Sequence, residues 1–211
     1  MDTRDKDTKE AIRSQHRQRR AAMTPAARSA AGAALAVQGA AWAASLTGGG
    51  RGTFAAYLGV GSEPPTLPLL EALHDAGHRV LLPVCEPDLE LSWVVWTPQS
   101  GYARSRYAPL QEPVGERLGT DAVAGAAGIF VPATAVDLDG NRIGQGGGYY
   151  DKFLAALSAL LGNDGSHAVP TAGVVYADEV LPAGTIPVET FDRKVGAALT
   201  PAGLVPSGAG R

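Results

Sequence analysis

The strongest constraint on the fold is a run in which two apolar segments flank one helical segment. "TFAAYLGV", residues 53–60, is short, apolar and aromatic, and suits a buried strand. "SEPPTLPLLEALHDAG" follows, with Ser62 as a cap-like residue, a helix predicted from about Leu67 to Ala76, and Gly77 to end it. "HRVLLPV" is then a second strand. Strand, helix and strand at this length form a right-handed βαβ unit, and such a unit requires a parallel sheet.

The rest of the chain extends this frame. The polar segment from Lys9 to about Met23 is helix-permissive, and an Ala-rich helix follows with Thr24 as N-cap and Pro25 at its first position, stopping at "TGGG". "LELSWVVW" and "YARSRYA" alternate on either side of "TPQSG" and predict an antiparallel excursion at the sheet edge. "GIFVPATAVD" reads as the most buried strand. It runs directly into "LDGNRIGQGGGYYDKFLAALSALLG", a loop and then a helix with an apolar stripe at Phe153, Leu154, Leu157, Leu160 and Leu161. "AGVVYA" and "KVGAALT" are the last expected strands. The expectation is a single α/β domain over residues 1–200 with a mostly parallel central sheet, helices on both faces, and a flexible tail over 201–211.

Charge and composition remove several function classes. A net charge of −3 gives no global reason to expect nucleic acid, although Arg13, Arg17, Arg19 and Arg20 make the first helix locally basic. No segment approaches the apolar length of a membrane span, and the acids among the first ten residues are those an organelle-targeting peptide avoids, so a cytoplasmic protein is expected. Cys85, the single cysteine, rules out an internal disulfide and reads as a packed thiol at a strand end. His74 and His78 have metal-ligand spacing, but Gly77 breaks the helix between them. Trp93 and Trp96 fall on opposite faces of a strand and form no base-stacking platform.

The chemistry concentrates in "RIGQGGGYYDKFL", Arg142 to Leu154. Taken alone, its glycines describe a tight turn. Between a strand and a helix they also gather backbone N–H groups at the positive end of a helix dipole, and Arg142 adds a fork able to grip two phosphate oxygens. The loop matches neither the GxxxxGK[ST] nor the GxGxxG pattern.

The longer stretch "VPATAVDLDGNRIGQGGGYYDKFL" resembles the signature of the 5-formyltetrahydrofolate cyclo-ligase family, also called 5,10-methenyltetrahydrofolate synthetases. "KEAIR", "YLGVGSEPPT" and "PVETFDRKV" match three further family segments, so the resemblance runs from Lys9 to about Thr200. It implies a Rossmann-like three-layer fold and a cytoplasmic, monomeric enzyme acting on 5-formyltetrahydrofolate and ATP, with no nucleic-acid or membrane partner. It also implies that Lys9, Glu10, Ala11, Ile12 and Arg13 contact ATP, and that Arg142, Ile143, Gly144, Gln145, Gly146, Gly147, Gly148, Tyr149 and Tyr150 wrap its phosphates. Lys9 and Arg142 would be catalytic, Leu58, Glu63, Gly147, Gly148 and Tyr149 would contact the folate, and Asp151 and Asp192 would hold Mg2+.

The implied reaction makes the formyl oxygen a leaving group by phosphorylation, after which the folate nitrogen N10 closes the ring. Phosphoryl transfer needs positioning and charge neutralisation rather than a Ser–His or Cys–His nucleophile. Two alternatives stand beside it. One is a non-catalytic nucleotide- or folate-binding protein, because Arg193 and Lys194 directly follow Asp192 and compete for its charge. The other is a nucleic-acid role for the basic helix.

Overall fold

The computed structural model describes residues 3–162 and 168–208. Two helices open the chain, α1 (Thr3–Ala22) and α2 (Pro25–Thr47). The βαβ unit follows as β1 (Thr53–Ala55), α3 (Leu67–Asp75) and β2 (Arg79–Cys85), then β3 (Leu91–Trp96), β4 (Tyr102–Arg104), β5 (Gln111–Pro113) and α4 (Asp121–Ala124). The second half holds β6 (Gly128–Pro132), β7 (Ala135–Asp137), β8 (Arg142–Ile143), α5 (Tyr149–Leu161), β9 (Thr171–Val174), β10 (Val180–Leu181), β11 (Ala197–Thr200) and β12 (Gly203–Pro206).

Seven strands form the central sheet in the order β12-β11-β9-β6-β1-β2-β3. The inner five are mutually parallel, and β3 and β12 close the edges antiparallel. Alternation along β6 explains the layers. Phe130 faces α2 and α3, meeting Trp42 edge-on at 5.0 Å in a cluster with Leu35, Leu69 and Leu73. Ile129 and Val131 face the opposite cluster, built with Val123 of α4 and Phe153, Leu154 and Leu157 of α5. Trp93 and Trp96 accordingly enter opposite cores.

The expected caps hold at α2, where Thr24 Oγ1 accepts the Ala27 N–H and Gly48 ends the helix at φ 59°. At α3 the N-cap is Thr66 rather than Ser62. The Thr66 hydroxyl donates to Tyr57 O at 2.6 Å and accepts from Gly59 N–H at 2.8 Å, which folds the chain leaving β1 back onto the helix start.

Several element limits differ from the sequence expectation. The first strand ends at Ala55, and its remaining apolar residues enter the loop. The strand after "TPQSG" pairs with β5, not β3, giving a separate two-stranded hairpin. "GIFVPATAVD" divides into β6 and β7, and β7 belongs to a small sheet ordered β10-β7-β8. Leu160 is exposed, although Leu161 beside it still packs partly against the core. The segment expected to trail from residue 201 instead supplies β12 through residue 206, in register with β11; residues 209–211 lie outside those described.

From β1 the chain turns toward β2 on one side, and from β6 toward β9 and β11 on the other. Connections leaving neighbouring strands in opposite directions open a crevice at their carboxyl ends, where open α/β sheets bind ligands.

Candidate active site

A cavity of about 1000 Å³ occupies this crevice. Tyr57, Leu58 and Glu63 enter it from the loop after β1, Pro132 and Ala133 from the end of β6, and Lys9, Glu10 and Arg13 from α1. Residues 142–151 form one wall, Glu189 and Asp192 a second, and the 107–113 stretch around the β4–β5 hairpin a third.

The small sheet exists to present Arg142. Buried Asp137 accepts N–H bonds from Asp139 and Asn141 through Oδ1, and from Asn141 Nδ2 and Ile186 through Oδ2, which closes the β7–β8 turn. Gly140 sits in that turn at φ 81°, and a Cβ there would lie 2.4 Å from Val195 O. A side chain would therefore break the turn. Two residues later Arg142 is buried, with Nη2 donating to Asp151 Oδ1 at 2.7 Å. Its Nε is buried with no hydrogen-bond partner among the described residues.

Gly148, at φ 77°, turns the loop into α5 and places Tyr149, Tyr150 and Asp151 in the helix's first turn. Between Arg142 and Gly148 the loop exposes its backbone to the cavity. Arg13 ties that loop to α1, donating from Nε to Gly144 O at 2.9 Å.

Lys9 is also buried, and its ammonium donates to Asp192 Oδ2 at 2.6 Å and Glu189 Oε2 at 2.9 Å. Burial works against its charge, but the hydrogen bonds to Asp192 and Glu189 prevail and hold its pKa above the usual lysine value. Asp151 Oδ1 additionally accepts the N–H of Arg193, the residue after Asp192. The two aspartates are thus joined through one backbone amide.

A buried frame fixes α1 over the crevice. Arg20 donates to both oxygens of Glu179 at 2.6 and 2.7 Å and to Ala133 O at 2.9 Å. Arg28 grips Arg20 O at 2.7 Å and Gly61 O at 2.8 Å, linking the end of α1 to the Glu63 loop. The basic face read from the sequence is therefore engaged internally, since Arg17 pairs with Glu10 and Arg19 with Asp178 at 3.5 Å.

Glu63 enters the same cavity beside the glycine loop. Burial raises the Glu63 pKa, partly offset by the Val60 N–H that its Oε2 accepts at 3.0 Å. Gln145 Nε2 reaches to 3.5 Å from Glu63 Oε1, so this side chain turns toward the carboxylate. The Tyr57 and Tyr150 hydroxyls are buried nearby without partners among the described residues. Burial, with Glu112 beside it, pushes the Cys85 thiol up to about 12, and a packed neutral thiol it remains.

All but two of the site residues expected from the sequence line this cavity. Ala11 is exposed, and Ile12 packs with Ala135, Ile143 and Ile186 beside the cavity, while Lys9 and Arg13, one turn apart, face into it. Sequence reasoning missed Glu189, although it lies in "PVETFDRKV", and missed Tyr57 because it sits inside an apolar run. Among the described residues no group of three or more His, Cys, Asp or Glu could hold a metal. Asp151 and Asp192 fit a different demand: Mg2+ takes one or two carboxylates and completes its shell with water and phosphate oxygens.

The sheet and its crevice define an α/β fold with a ligand-sized cavity at a switch point, lined by a glycine loop, three cations and five carboxylates. The family model of the 5-formyltetrahydrofolate cyclo-ligase family matches residues 5–201, and the chain belongs to that family. It is 38% identical to a 5-formyltetrahydrofolate cyclo-ligase of Mycolicibacterium smegmatis over 76% of this chain and 78% of the relative. It is 31% identical to one of Escherichia coli K12 over 71% and 78%. The fold is similar to that of the 5,10-methenyltetrahydrofolate synthetase of Aquifex aeolicus, with a TM-score of 0.69, 24% identity, and coverage of 96% of this chain and 94% of the other. The corresponding synthetase of Mycoplasma pneumoniae gives a TM-score of 0.66 at 18% identity, covering 92% and 98%. Members of the family are ligases that convert 5-formyltetrahydrofolate to 5,10-methenyltetrahydrofolate with ATP, and the chain is an enzyme of this class.

Proposed function

We propose that the cavity binds ATP against α1 and the 142–150 loop, and the folate against Glu63, so that the γ-phosphoryl group meets the formyl oxygen between them. The observation that carries this reading is the pairing of Lys9 with Asp192 and of Arg142 with Asp151 inside one cavity. Two cations and two carboxylates held together in a crevice are the matched halves of a site for an anion and its counter-cation.

Lys9, Arg13, Arg142 and the loop amides receive the triphosphate, and Asp151 and Asp192 hold Mg2+. When bound there, that ion would supply positive charge against the triphosphate. Glu63, as the carboxylate, accepts N–H bonds from the donor edge of the pterin, and buried Tyr57 and Tyr150 bound the ring. The formyl oxygen attacks the γ-phosphorus as the bond to ADP breaks. N10 then attacks the formyl carbon, the phosphorylated oxygen departs as phosphate, and the N10 proton is lost. The basic groups contribute by stabilising the charge that develops on the moving phosphoryl group.

The residues placed at both ligands meet within a single copy of the chain, so the proposed reaction needs no second subunit, and we propose a monomeric, cytoplasmic enzyme. Among the described residues no helix is long and apolar enough to cross a membrane. The test is to mix the protein with ATP, Mg2+ and 5-formyltetrahydrofolate and follow the ultraviolet absorbance of the methenyl product together with ADP. Equal formation of both supports the reading; folded protein that binds either ligand without turnover would instead favour the non-catalytic alternative.

A further inference from the structure

A second cavity of about 510 Å³ adjoins the first, and Cys85, Tyr107 and Pro113 line both. Its character is different. Arg104, Arg106 and Arg117 surround it, against the acids Glu86 and Glu112. Both acids are occupied: Glu112 Oε1 accepts the Cys85 N–H at 2.7 Å, and Glu86 Oε1 accepts the Ser92 hydroxyl at 2.6 Å. Arg117 stands 3.9 Å from Glu86, and the side cavity keeps a positive excess.

The wall of the main cavity leading toward it is apolar, formed by Leu91, Pro109, Leu110 and Pro113. Three chemistries therefore adjoin one another: the polar surroundings of Glu63, the apolar wall, and the arginine-lined side cavity that shares Cys85, Tyr107 and Pro113 with the first. 5-Formyltetrahydrofolate has three matching parts: a pterin rich in N–H donors, an aminobenzoyl ring, and a glutamate with two carboxylates. The basic groups of the main cavity, Lys9, Arg13 and Arg142, are paired with Asp192, Glu189, Gly144 and Asp151 and belong to the site proposed for the triphosphate.

We propose that Arg104, Arg106 and Arg117 on and beside the β4–β5 hairpin form the subsite for the folate's glutamate carboxylates, and so determine recognition of the tail. This rests on the placement of the pterin at Glu63. Guanidinium forks suit carboxylates, and the side cavity accommodates further γ-linked glutamates. Such exposed charges act chiefly on substrate capture.

The test compares wild type with R104A, R106A, R117A and the triple variant, each checked for folding by circular dichroism. The substrates are 5-formyltetrahydrofolate, its γ-linked triglutamate and 5-formyltetrahydropteroate, which lacks the glutamate. The triple variant is expected to raise KM for 5-formyltetrahydrofolate roughly tenfold, with kcat and the KM for ATP held. It is expected to lose any KM advantage of the triglutamate, and to treat the pteroate as wild type does. Restoring charge as lysine should recover part of the effect. An unchanged KM, or an equal rise for the pteroate, would overturn the proposal. Should wild type turn nothing over, the function reading fails by itself, and calorimetric binding of the same three ligands decides the tail subsite: arginine-independent binding, or no binding, overturns it.

Discussion

The Nζ of Lys9 lies 2.6 Å from Asp192 Oδ2, joining the first helix to a residue near the end of the chain. Arg142 and Asp151 meet in the same way at 2.7 Å. Removing one partner from a buried pair leaves an uncompensated charge, so mutual pairing lets the crevice fold before any ligand arrives. A nucleotide bound with its counter-cation offers both signs at once. The cations can then turn to phosphate and the carboxylates to the metal, with little net change in charge.

Replacing Arg142 with Ala is expected to lower kcat/KM by about 100- to 1000-fold, the scale for losing one preorganised charge at a transition state. The Asp151 carboxylate keeps the Arg193 N–H, and the fold should persist. Steady-state kinetics beside a thermal melt check this; near-wild-type turnover would remove Arg142 from the phosphate site.

Asp151→Asn and Asp192→Asn are each expected to raise the Mg2+ concentration needed for half-maximal activity. A Mg2+ titration at fixed ATP measures the shift. Coincident curves for variant and wild type would count against both residues as ligands.

Glu63 gives a pH dependence of defined sign. Burial raises its pKa, so the free protein binds this proton more tightly than the unfolded chain does. That contribution to stability is complete below the unfolded carboxylate pKa and is lost as pH rises through the folded one. Folate capture runs oppositely, because the pterin edge needs an ionised acceptor. The KM for 5-formyltetrahydrofolate should therefore rise as pH falls through a value above the ordinary carboxylate range. Glu63→Gln should flatten that limb, and a limb that survives would assign it to another group.

Glu179→Gln should destabilise the protein by about 3–5 kcal/mol, since it leaves Arg20 buried without its counter-charge. Denaturant unfolding measures this. If the frame also sets α1, the KM for ATP should rise in protein that is still folded at the assay temperature. An unchanged unfolding midpoint would show that the pair holds nothing in place.

The parallel sheet was legible because β2 and β6 are continuous apolar runs and α3 has a clean apolar stripe between turn signals. The Arg142–Asp151 loop was legible because its residues are contiguous. What stayed hidden is short or distant. β7 and β8 have too few residues to show alternation, and their hairpin depends on Asp137 gathering four hydrogen bonds. The Pro- and Gly-rich composition near the C-terminus concealed β12, whose stability comes from pairing with β11. Glu189 and Glu179 act on α1 across most of the chain, and no local pattern announces such partners.

The central claim is that the formyl oxygen leaves as part of phosphate. Turnover of 5-formyltetrahydrofolate carrying 18O in the formyl group, with mass analysis of the released phosphate, tests it directly. The account predicts one 18O atom in the phosphate for each methenyl product formed. Unlabelled phosphate, with the 18O recovered in water, would contradict it.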